Sequence, residues 1–316
     1  MAAYNVAPLA NGLSFGATVS GLTMDQLEDA AVRRAINDLW IDKGVLLFRD
    51  GDDTPDMQAA VARCFGKVER HLLPEVRVEG NPDLTLVKYW RGNGNVVELD
   101  GTSLGGWLPW HSDLIYSAKI SRGGVLRPVE LPEHGGGMTG FIDQIVAWER
   151  LPQKLKERIE GMHGVYIMDI NPEHMRFGAP GSIKVIERAA TNIAIMKHEW
   201  EYPRVLHPMV YEQKETGRKV LNVSPWFCFG IYELGGEEGA ELMAEIVEHC
   251  VDEANVYYHD WHEGDIVAWD NWRTLHSCTG IHPDDRRVMH RATIFGDYEL
   301  GREFTYNREE LERVEV

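Results

Sequence analysis

The chain has 316 residues, and its 50 Asp and Glu residues outnumber 32 Lys and Arg residues, which gives a formal net charge of −18. This acidic balance argues against a nucleic-acid partner and against an anionic membrane surface, because both require a basic contact surface. A hydrophobic fraction of 44% and a charged fraction of 26% exclude a disordered chain. We therefore expect a folded chain with a large core.

The predicted elements follow from the spacing of apolar residues and from turn signals. In chain order they are a helix at 24–42, a strand at 45–48, a helix at 55–65, a strand at 84–90, a helix at 144–161, strands at 205–211 and 220–223, a helix at 237–250 and a strand at 266–269. Gly44 ends the first helix, and Thr54-Pro55 is a start signal for the second. This order predicts a mainly β fold with flanking helices. The chain has no proline-rich or serine-rich linker and no repeat, so we expect one domain over 1–316.

The cysteines and the N-terminus indicate the compartment. Four cysteines lie far apart without a C-x-x-C pair: Cys64, Cys228, Cys250 and Cys278. This spacing predicts reduced thiols rather than a disulfide framework or a cysteine zinc site. The N-terminus lacks the basic and apolar regions of a signal peptide, and no stretch reaches the ~18 apolar residues of a membrane span. We expect a cytoplasmic protein without a membrane partner.

The motif His-x-Asp occurs twice among the thirteen histidines. In the first copy, His111 and Asp113 precede an apolar run, and on a strand an i, i+2 pair points to one face, where both side chains could bind one ion. The second copy, His282 and Asp284, lies in a turn rich in Asp and Pro, where a solvated loop is the better interpretation. We therefore retain only the first copy.

A second, distant histidine would complete the facial triad of two His and one carboxylate that holds Fe(II) for oxygen chemistry. The best candidate is His276, just after the predicted strand 266–269. On residue type alone a buried, hydrogen-bonded core histidine remains the alternative. Farther along, Arg287 and Arg291 fall on one face of a predicted strand and could bind two anions beside a metal. A solvated strand with surface ion pairs is the alternative there.

Taken together, these segments resemble the taurine dioxygenase family, the TauD/TfdA-like Fe(II)- and 2-oxoglutarate-dependent dioxygenases. The resemblance runs along nearly the whole chain and rests on the order of the segments. Those that match most clearly are Gly44-Val45-Leu46-Leu47-Phe48-Arg49-Asp50, Trp110-His111-Ser112-Asp113, the stretch from Trp269 to His276, and the stretch from Arg286 to Ile294. The resemblance implies a double-stranded β-helix, or jelly roll, with the cofactors in its mouth.

The resemblance also implies a role for individual residues. His111, Asp113 and His276 would bind Fe(II), and Arg287, eleven residues after His276, would pair with the far carboxylate of 2-oxoglutarate. Thr139 matches the family threonine that donates a hydrogen bond to the same carboxylate. The chain departs from the family pattern next to it, since Met138 stands where the family usually has Asp.

For the primary substrate, Arg291 and His71 match positions that hold an acidic group in sulfonate-using members. We therefore expect a small anionic organic substrate, with a surface histidine as the alternative interpretation of His71. Residues 92–109 form a longer segment than the family loop and could act as a lid. Five aromatic residues could line a pocket for an aromatic acid, or could be ordinary core: Trp90, Trp107, Trp226, Phe227 and Phe229.

The expected reaction is hydroxylation of a small organic anion, a carboxylate or sulfonate, with O2 and 2-oxoglutarate as cosubstrates and succinate and CO2 as products. Hydroxylation beside a heteroatom would lead to bond cleavage. A homo-oligomer is the expected assembly. Two alternatives stay open: a jelly-roll binder without catalysis, and a zinc hydrolase that uses the same three ligands. The full ligand set argues against the first, and the pair of Thr139 and Arg287 argues against the second.

Overall fold

The computed structural model describes residues 4–71 and 76–304. The helices of this part of the chain are α1 (Met24–Leu27), α2 (Ala30–Lys43), α3 (Pro55–Phe65), α4 (Gln144–Arg150), α5 (Gln153–Ile159), α6 (Ala190–Met196) and α7 (Gly236–Cys250). Single 3-10 turns lie at Pro172–His174, Glu199–Glu201 and Glu253–Asn255. No helix among the described residues is both long enough and apolar enough to cross a membrane.

The strands of the first half are β1 (Asn5–Pro8), β2 (Ala17–Ser20), β3 (Val45–Arg49), β4 (Val68–Glu69), β5 (Arg77–Val78), β6 (Asn81–Tyr89), β7 (Val96–Leu99), β8 (Thr102–Gly105), β9 (Leu108–His111), β10 (Gly123–Glu130), β11 (Thr139–Asp143) and β12 (His163–Tyr166). Those of the second half are β13 (Ile183–Glu187), β14 (Arg204–Pro208), β15 (Val210–Glu212), β16 (Lys219–Leu221), β17 (Cys228–Ile231), β18 (Val256–His259), β19 (Ile266–Asp270), β20 (Thr274–Cys278), β21 (Arg287–Ile294) and β22 (Arg302–Phe304). The prediction of a mainly β fold with flanking helices is confirmed.

A nine-stranded sheet forms the base of the molecule. Its strands run in the order β1-β2-β3-β19-β10-β21-β6-β5, and β4 pairs with β21 beside this path. The pair β2 and β3 is parallel, and the other neighbours are antiparallel. Helices α2 and α3 cover one face, where Ile36, Trp40 and Val61 share a cluster with Leu46 and Ala292 of the sheet. Burial of this apolar surface stabilises the sheet against the helices.

The other face of this sheet packs on a four-stranded antiparallel sheet in the order β18-β11-β20-β9. The shared core contains Val267, Trp269 and Met289 from the large sheet and Phe141 from the small one. Face-to-face packing of two sheets leaves their ends open to solvent. Three candidate site residues, His111, Thr139 and His276, lie in this second sheet, and Arg287 and Arg291 lie on β21 of the large sheet.

Further sheets extend the core on the outer side. One has the order β17-β12-β14-β22, and another has the order β13-β7-β8, which includes part of the segment 92–109. Strands β15 and β16 form a separate hairpin. Helices α4, α5 and α7 contribute Ala147, Leu155 and Ile246 to the largest buried cluster.

The helix bounds show which sequence signals are reliable. Helix α3 has the predicted bounds. Its start is fixed because the hydroxyl of Thr54 accepts the backbone N–H of Met57 at 3.1 Å and Pro55 occupies the first turn, and it ends before Gly66. The single helix predicted at 144–161 is wrong. Pro152 lacks an N–H and disfavours helical backbone at Leu151, whose ψ of 134° separates α4 from α5.

Two other predicted elements are divided. The helix predicted at 24–42 is interrupted before Asp29, whose carboxylate accepts the N–H of Ala31 at 2.7 Å and starts α2. The strand predicted at 205–211 is broken at Met209, because β14 pairs with β12 and β15 pairs with β16. The alternation of side chains in that run gave no sign of the change of partner.

Candidate active site

His111, Asp113 and His276 lie together at the end of the four-stranded sheet. His111 is the last residue of β9, and its Cα is paired with that of His276 in the middle of β20. The Nε2 atoms of His111 and His276 lie 3.9 Å and 3.5 Å from the two carboxylate oxygens of Asp113. One nitrogen or oxygen from each residue falls within 4.8 Å of the others, which is a ligand set for one metal ion.

The protonation of His111 and Asp113 suits a metal. Nδ1 of His111 donates to the carbonyl of Pro109 at 2.7 Å, so the free electron pair is on Nε2, which faces Asp113. Burial, followed by the charge of His276, lowers the pKa of His111 to about 3, which keeps the ring neutral. Burial opposes ionisation of Asp113, but Arg291 and the two histidines hold its pKa well below the usual range.

The position of Asp113 depends on a contact that the sequence analysis missed. Strand β9 ends at His111, so Asp113 is not on the strand, and the shared-face argument for His111 and Asp113 was wrong in this detail. The amide of Asn271 takes the place of strand pairing. Its Oδ1 accepts the N–H of Asp113 at 2.8 Å, and its Nδ2 donates to the carbonyls of Asp113 and Ser121, both at 3.0 Å. Asn271 is a positioning residue for the carboxylate.

The backbone around this contact is unusual. Leu114, directly after the carboxylate, has a φ of +60°, a region that residues with a Cβ rarely adopt. Such conformations cost of order 1–3 kcal/mol and persist where the surrounding structure holds them. The bonds from Asn271 hold the backbone of Asp113 next to it. The turn therefore directs Asp113 back toward the two histidines.

Thr139 and Arg287 are the first residues of β11 and β21, which belong to the two sheets that share one core. The hydroxyl oxygen of Thr139, the first residue of β11, accepts the indole N–H of Trp261 at 3.0 Å, which leaves its own proton free to donate. Nε of Arg287 is buried and has no hydrogen-bond partner among the described residues. A Cβ at Gly137, two residues before Thr139, would lie 3.0 Å from the Arg287 side chain, so both residues border one loop. A buried, unpaired Nε on a half-buried arginine is costly and indicates a site for an anion.

Met138 does not disturb this loop. Its carbonyl accepts the N–H of Thr279 at 3.0 Å, which ties the loop to the end of β20, and the next residue, Thr139, continues the pairing with Cys278. The departure from the family pattern is therefore accommodated with Thr139 still paired on both sides.

A cavity of about 600 Å³ adjoins the three candidate ligands. Its lining is Glu69, Arg70, His71, Thr85, Asp113, Leu114, Ser121, Arg291 and Thr293. The two residues predicted for the primary substrate, His71 and Arg291, thus border the same space as Asp113. Arg70 also lies there, although its Nε is paired with Asp83 at 2.7 Å. The cavity combines cations with apolar wall, which suits an organic anion.

Arg291 occupies the boundary between the ligands and this cavity. Its Nη2 lies 2.5 Å from Oδ2 of Asp113, and its guanidinium lies 5.4 Å from the ring centre of Trp269. Nε of Arg291 is buried without a partner among the described residues. One donor of this arginine is therefore directed at the carboxylate, and another remains available.

The aromatic residues predicted to line a pocket do not line this cavity. Trp226 packs edge-on against His111 with ring centres 5.2 Å apart, and Phe227 stacks on Trp226 at 4.3 Å, so both belong to the core behind the site. Trp107 lines a separate cavity of about 580 Å³ on the outer side of the four-stranded sheet. Phe229 packs under Arg176 and Arg204. Trp226 and Phe227 are thus core residues, and with Phe229 they border a smaller cavity of about 220 Å³.

The second His-x-Asp copy does not form a common site. The Asp284 carboxylate binds Arg91 at 2.7 Å, whereas the ring of His282 lies beside His134. Residues 92–109 are largely ordered as β7, β8 and β9, and β13 completes a three-stranded sheet with the first two. This segment is a β-hairpin rather than an irregular loop.

The site as described has the donor set of a mononuclear non-haem iron centre, with two imidazoles, one carboxylate and a cavity lined by arginines beside them. The sequence profile of the family "Taurine catabolism dioxygenase TauD, TfdA family" matches residues 5–293. The chain therefore belongs to this family.

Curated relatives match along most of the chain. A (S)-phenoxypropionate/alpha-ketoglutarate-dioxygenase of Sphingobium herbicidovorans is 29% identical over 93% of this chain and 96% of its own length. An alpha-ketoglutarate-dependent 2,4-dichlorophenoxyacetate dioxygenase of Cupriavidus pinatubonensis is 28% identical over 90% of this chain and 95% of its own. A pentalenolactone F synthase of Streptomyces avermitilis is 26% identical, with coverages of 90% and 93%.

Solved structures share the fold. A taurine dioxygenase from Burkholderia xenovorans superposes with a TM-score of 0.70 at 22% identity and covers 97% of this chain and 96% of its own. AAD-2 in complex with Mn(II) and N-oxalylglycine also gives 0.70, at 24% identity, with coverages of 93% and 98%. The predicted family, the enzyme class and the cofactors are confirmed: the chain is an oxidoreductase of the 2-oxoglutarate-dependent dioxygenase class, which uses Fe(II), 2-oxoglutarate and O2.

Proposed function

We propose that His111, Asp113 and His276 hold the Fe(II) and that the chain hydroxylates a small organic anion bound in the adjacent cavity. The observation that carries this proposal is the position of Asp113, whose carboxylate contacts both histidines and also lines the cavity of about 600 Å³. A C–H bond of a ligand in that space would lie beside the metal ligands. Where the hydroxyl group is placed next to a heteroatom, cleavage of the carbon–heteroatom bond follows.

For 2-oxoglutarate we propose Arg287 and Thr139 as the residues that bind its far carboxylate. Support comes from the unpaired, buried Nε of Arg287 and from the free hydroxyl proton of Thr139, fixed by the indole of Trp261. When bound, Fe(II) with 2-oxoglutarate supplies the oxidative decarboxylation that yields succinate and CO2 and hydroxylates the substrate. The residues of the chain bind and orient the two organic acids and exclude water from the reacting atoms.

For the primary substrate we propose that Arg291 and His71 bind the anionic group, a carboxylate or a sulfonate. Both line the cavity, and Arg291 retains an unpaired donor directed away from bulk water. Relatives named for phenoxypropionate, 2,4-dichlorophenoxyacetate and an alkylsulfatase activity act on organic anions with an apolar portion. We propose an aromatic or extended organic acid for this chain. The apolar portion would contact Leu114 and the wall formed by Thr85 and Thr293.

For the architecture we propose a jelly roll that forms a single domain over 1–316. Two observations support this proposal: the large and small sheets share one core, and the large sheet contains β1 at one end of the chain and β21 near the other. A cut into two consecutive domains would divide this sheet. We further propose that the hairpin within 92–109 acts as a lid. Gly105 exchanges backbone hydrogen bonds with Ile281 at 2.8 and 2.9 Å, so a movement of the hairpin would act on the loop that leads from β20 to Arg287.

The cytoplasmic location, a homo-oligomeric assembly and the absence of nucleic-acid and membrane partners stay predictions. The net charge of −18 supports the last of them, since an acidic surface repels polyanions.

The experiment that tests the proposed function is an anaerobic titration of the metal-free protein with Fe(II) and 2-oxoglutarate. We expect a weak visible charge-transfer absorption of the chelated cosubstrate, followed in air by succinate release that increases with the correct organic acid. His111→Ala should abolish the absorption, and Asn222→Ala, at a buried site away from the ligands, should keep it. A folded, iron-loaded wild type without this absorption would contradict the assignment of the ligands.

A further inference from the structure

A second group of potential metal ligands lies outside the site described above. It consists of His134, in the loop between β10 and β11, and of His282 and Asp285, in the loop between β20 and β21. One ligand atom of each residue falls within 4.8 Å of the other two. None of these residues belongs to the proposed Fe(II), 2-oxoglutarate or substrate sites. We define the three as the loop cluster.

Asp285 is the fixed member of the loop cluster. Its side chain is only 3% exposed, its Oδ1 lies 2.6 Å from Nδ1 of His134, and its Oδ2 accepts the backbone N–H of His134 at 3.0 Å. The carboxylate is thereby oriented by a backbone group as well as by a side chain. In metal sites an outer contact such as this backbone N–H orients a ligand before the ion binds.

His282 stands outside the ion pair of His134 and Asp285, and its Nδ1 accepts the backbone N–H of Asp284 at 3.3 Å. A protonated His134 and Asp285 would satisfy each other as a salt bridge, and the hydrogen bond to Asp285 raises the pKa of His134. His282 nevertheless places its ring 5.3 Å from that of His134, centre to centre, at an angle of 45°. Two imidazoles brought together beside a carboxylate repel when both are protonated. They bind together when a divalent cation replaces the protons.

We propose that His134, His282 and Asp285 form a second site, for a divalent transition-metal cation such as Zn²⁺, which joins the two loops. Two ligands at roughly 2.0–2.2 Å from a tetrahedral ion are about 3.3 Å apart. The contact of 2.6 Å between His134 and Asp285 must therefore widen when the ion binds. The side chain of His134 is 65% exposed and can move. Water completes the coordination at this rim of the molecule.

The two joined loops lead directly into β11 and β21, the strands that begin with the proposed 2-oxoglutarate residues. His134 precedes Thr139 by five residues, and Asp285 precedes Arg287 by two. Between them, the glycines at 135, 136 and 137 all have positive φ, and the backbone of Gly137 lies against Arg287. A cation at the loop cluster therefore restricts a glycine-rich loop beside that arginine. This consequence rests on the proposed function, whereas the metal site itself does not.

The test counts bound metal. Full-length protein is dialysed against Zn²⁺ and the metal content measured, in wild type and in a His111→Ala/His276→Ala background that removes the first ligand set. We expect two equivalents in wild type, one in the background variant, and one fewer in each when His282→Ala is added. His174→Ala is the matched control, since it removes an exposed histidine paired with Asp169 at 2.8 Å and should not change the count.

His282→Ala also separates the proposal from the salt bridge. It leaves the contact of His134 with Asp285 intact, so in the presence of a chelator its Tm should equal that of wild type, while the upward shift in Tm caused by Zn²⁺ should be lost. If the background variant misfolds, the wild-type comparison alone decides. An unchanged metal count in His282→Ala, or an equal loss in His174→Ala, would overturn the second site. Because the count requires no turnover, failure of the dioxygenase assay would not alter it.

Discussion

At the scale of single residues, the main finding at the site is that the carboxylate ligand is positioned by an amide far away in the chain. Asn271 is 1% exposed and makes three hydrogen bonds to the backbone of Asp113 and Ser121. Removal of such a buried amide leaves polar backbone groups unsatisfied, each at a cost of about 1–3 kcal/mol. It also frees the turn at Leu114 from its strained conformation.

Asn271→Ala should therefore weaken Fe(II) binding as well as stability. We expect a loss of about 10- to 100-fold in Fe(II) affinity, as is usual for residues that orient metal ligands. Equilibrium binding of Fe(II) under anaerobic conditions measures it. Asn222→Ala is the matched control, because Asn222 is a buried amide that donates to Pro208 at 2.9 Å, away from the ligands. Equal Fe(II) affinities in the two variants, at similar losses of stability, would show that Asn271 has no special part in the site.

Variants of the two arginines of β21 should distinguish the binding of 2-oxoglutarate from the binding of the primary substrate. Arg287→Ala removes a cation with a buried unpaired nitrogen and should raise the KM for 2-oxoglutarate by about 10- to 100-fold, which corresponds to the 1.5–3 kcal/mol of a charged hydrogen bond. Arg291→Ala should raise the KM for the primary substrate and leave that for 2-oxoglutarate nearly unchanged. Succinate release at varied concentrations of each acid measures both. The reverse pattern would exchange the two assignments.

The site could be predicted from the sequence where the chemistry itself is specific. His111, Asp113 and His276 were identified by residue type, order and family resemblance, and the three lie within metal-binding distance. The reason given for the His-x-Asp pair was wrong, because β9 ends at His111. Asn271 was overlooked because its partner is 158 residues away, and an amide in a turn gives no local signal of a long-range contact.

At the scale of elements, local signals determined the boundaries better than periodicity did. The Thr54 cap and Pro55 fixed the start of α3, and Pro152 split a helix whose apolar spacing was continuous. Strand partners were not predictable. The change from β14 to β15 within one apolar run follows from which strands lie beside them, which is a property of the folded chain.

The hairpin of β7 and β8 offers a test of the lid proposal at this scale. A Cβ at Gly105 would lie about 2 Å from the ring of Tyr89, so Gly105→Ala must displace the hairpin or the ring. Overpacking of this kind costs about 1–3 kcal/mol. We expect faster amide exchange in β7 and β8, and a larger fraction of 2-oxoglutarate consumed without substrate hydroxylation. Hydrogen exchange and the ratio of succinate to hydroxylated product measure the two effects.

Gly101→Ala is the control for this hairpin. It lies at the turn between the same strands with no atom within 4 Å of the added Cβ, although its φ of +82° carries some strain. Faster exchange in both variants without any change in the product ratio would mean that the hairpin is only structural.

At the scale of the whole molecule, the part of the fold that the sequence could predict is limited by how the chain is divided among its sheets. The large sheet takes strands from both ends of the chain, and the small sheet takes its strands from three separate stretches. The composition and the spacing of apolar residues could predict that strands dominate. They could not predict that β3 pairs with β19, more than two hundred residues later, because that register is set by the packing of the helices α2 and α3 on one face.

The stability of the metal-free protein should fall as the pH is lowered from 6.5 toward 4.5. Burial, with the charge of His276, lowers the pKa of His111 to about 3, and burial lowers that of His207 to about 4. Between these values and the ordinary value of about 6.5, the unfolded chain binds protons that the folded chain does not. The free energy of unfolding then increases with pH, by about 1.4 kcal/mol per pH unit for each such histidine. Urea denaturation at several pH values in the presence of a chelator measures this slope.

His207→Gln should reduce the dependence of the free energy of unfolding on pH by about the contribution of one histidine. The ring of His207 is fully buried between the carbonyl of Ser117 and the hydroxyl of Tyr298, both at 3.1 Å. The variant should therefore be less stable than wild type at neutral pH. Its further loss of stability on acidification should be smaller than that of wild type. His249→Gln, at an exposed position of α7, is the control and should keep the wild-type slope. Fe(II) should raise stability at every pH but leave the slope contributed by His111 unchanged above pH 5, because that ring is already unprotonated in the folded, metal-free chain. A slope that is the same in wild type and His207→Gln would mean that carboxylates, not this buried histidine, control the acid sensitivity of the chain.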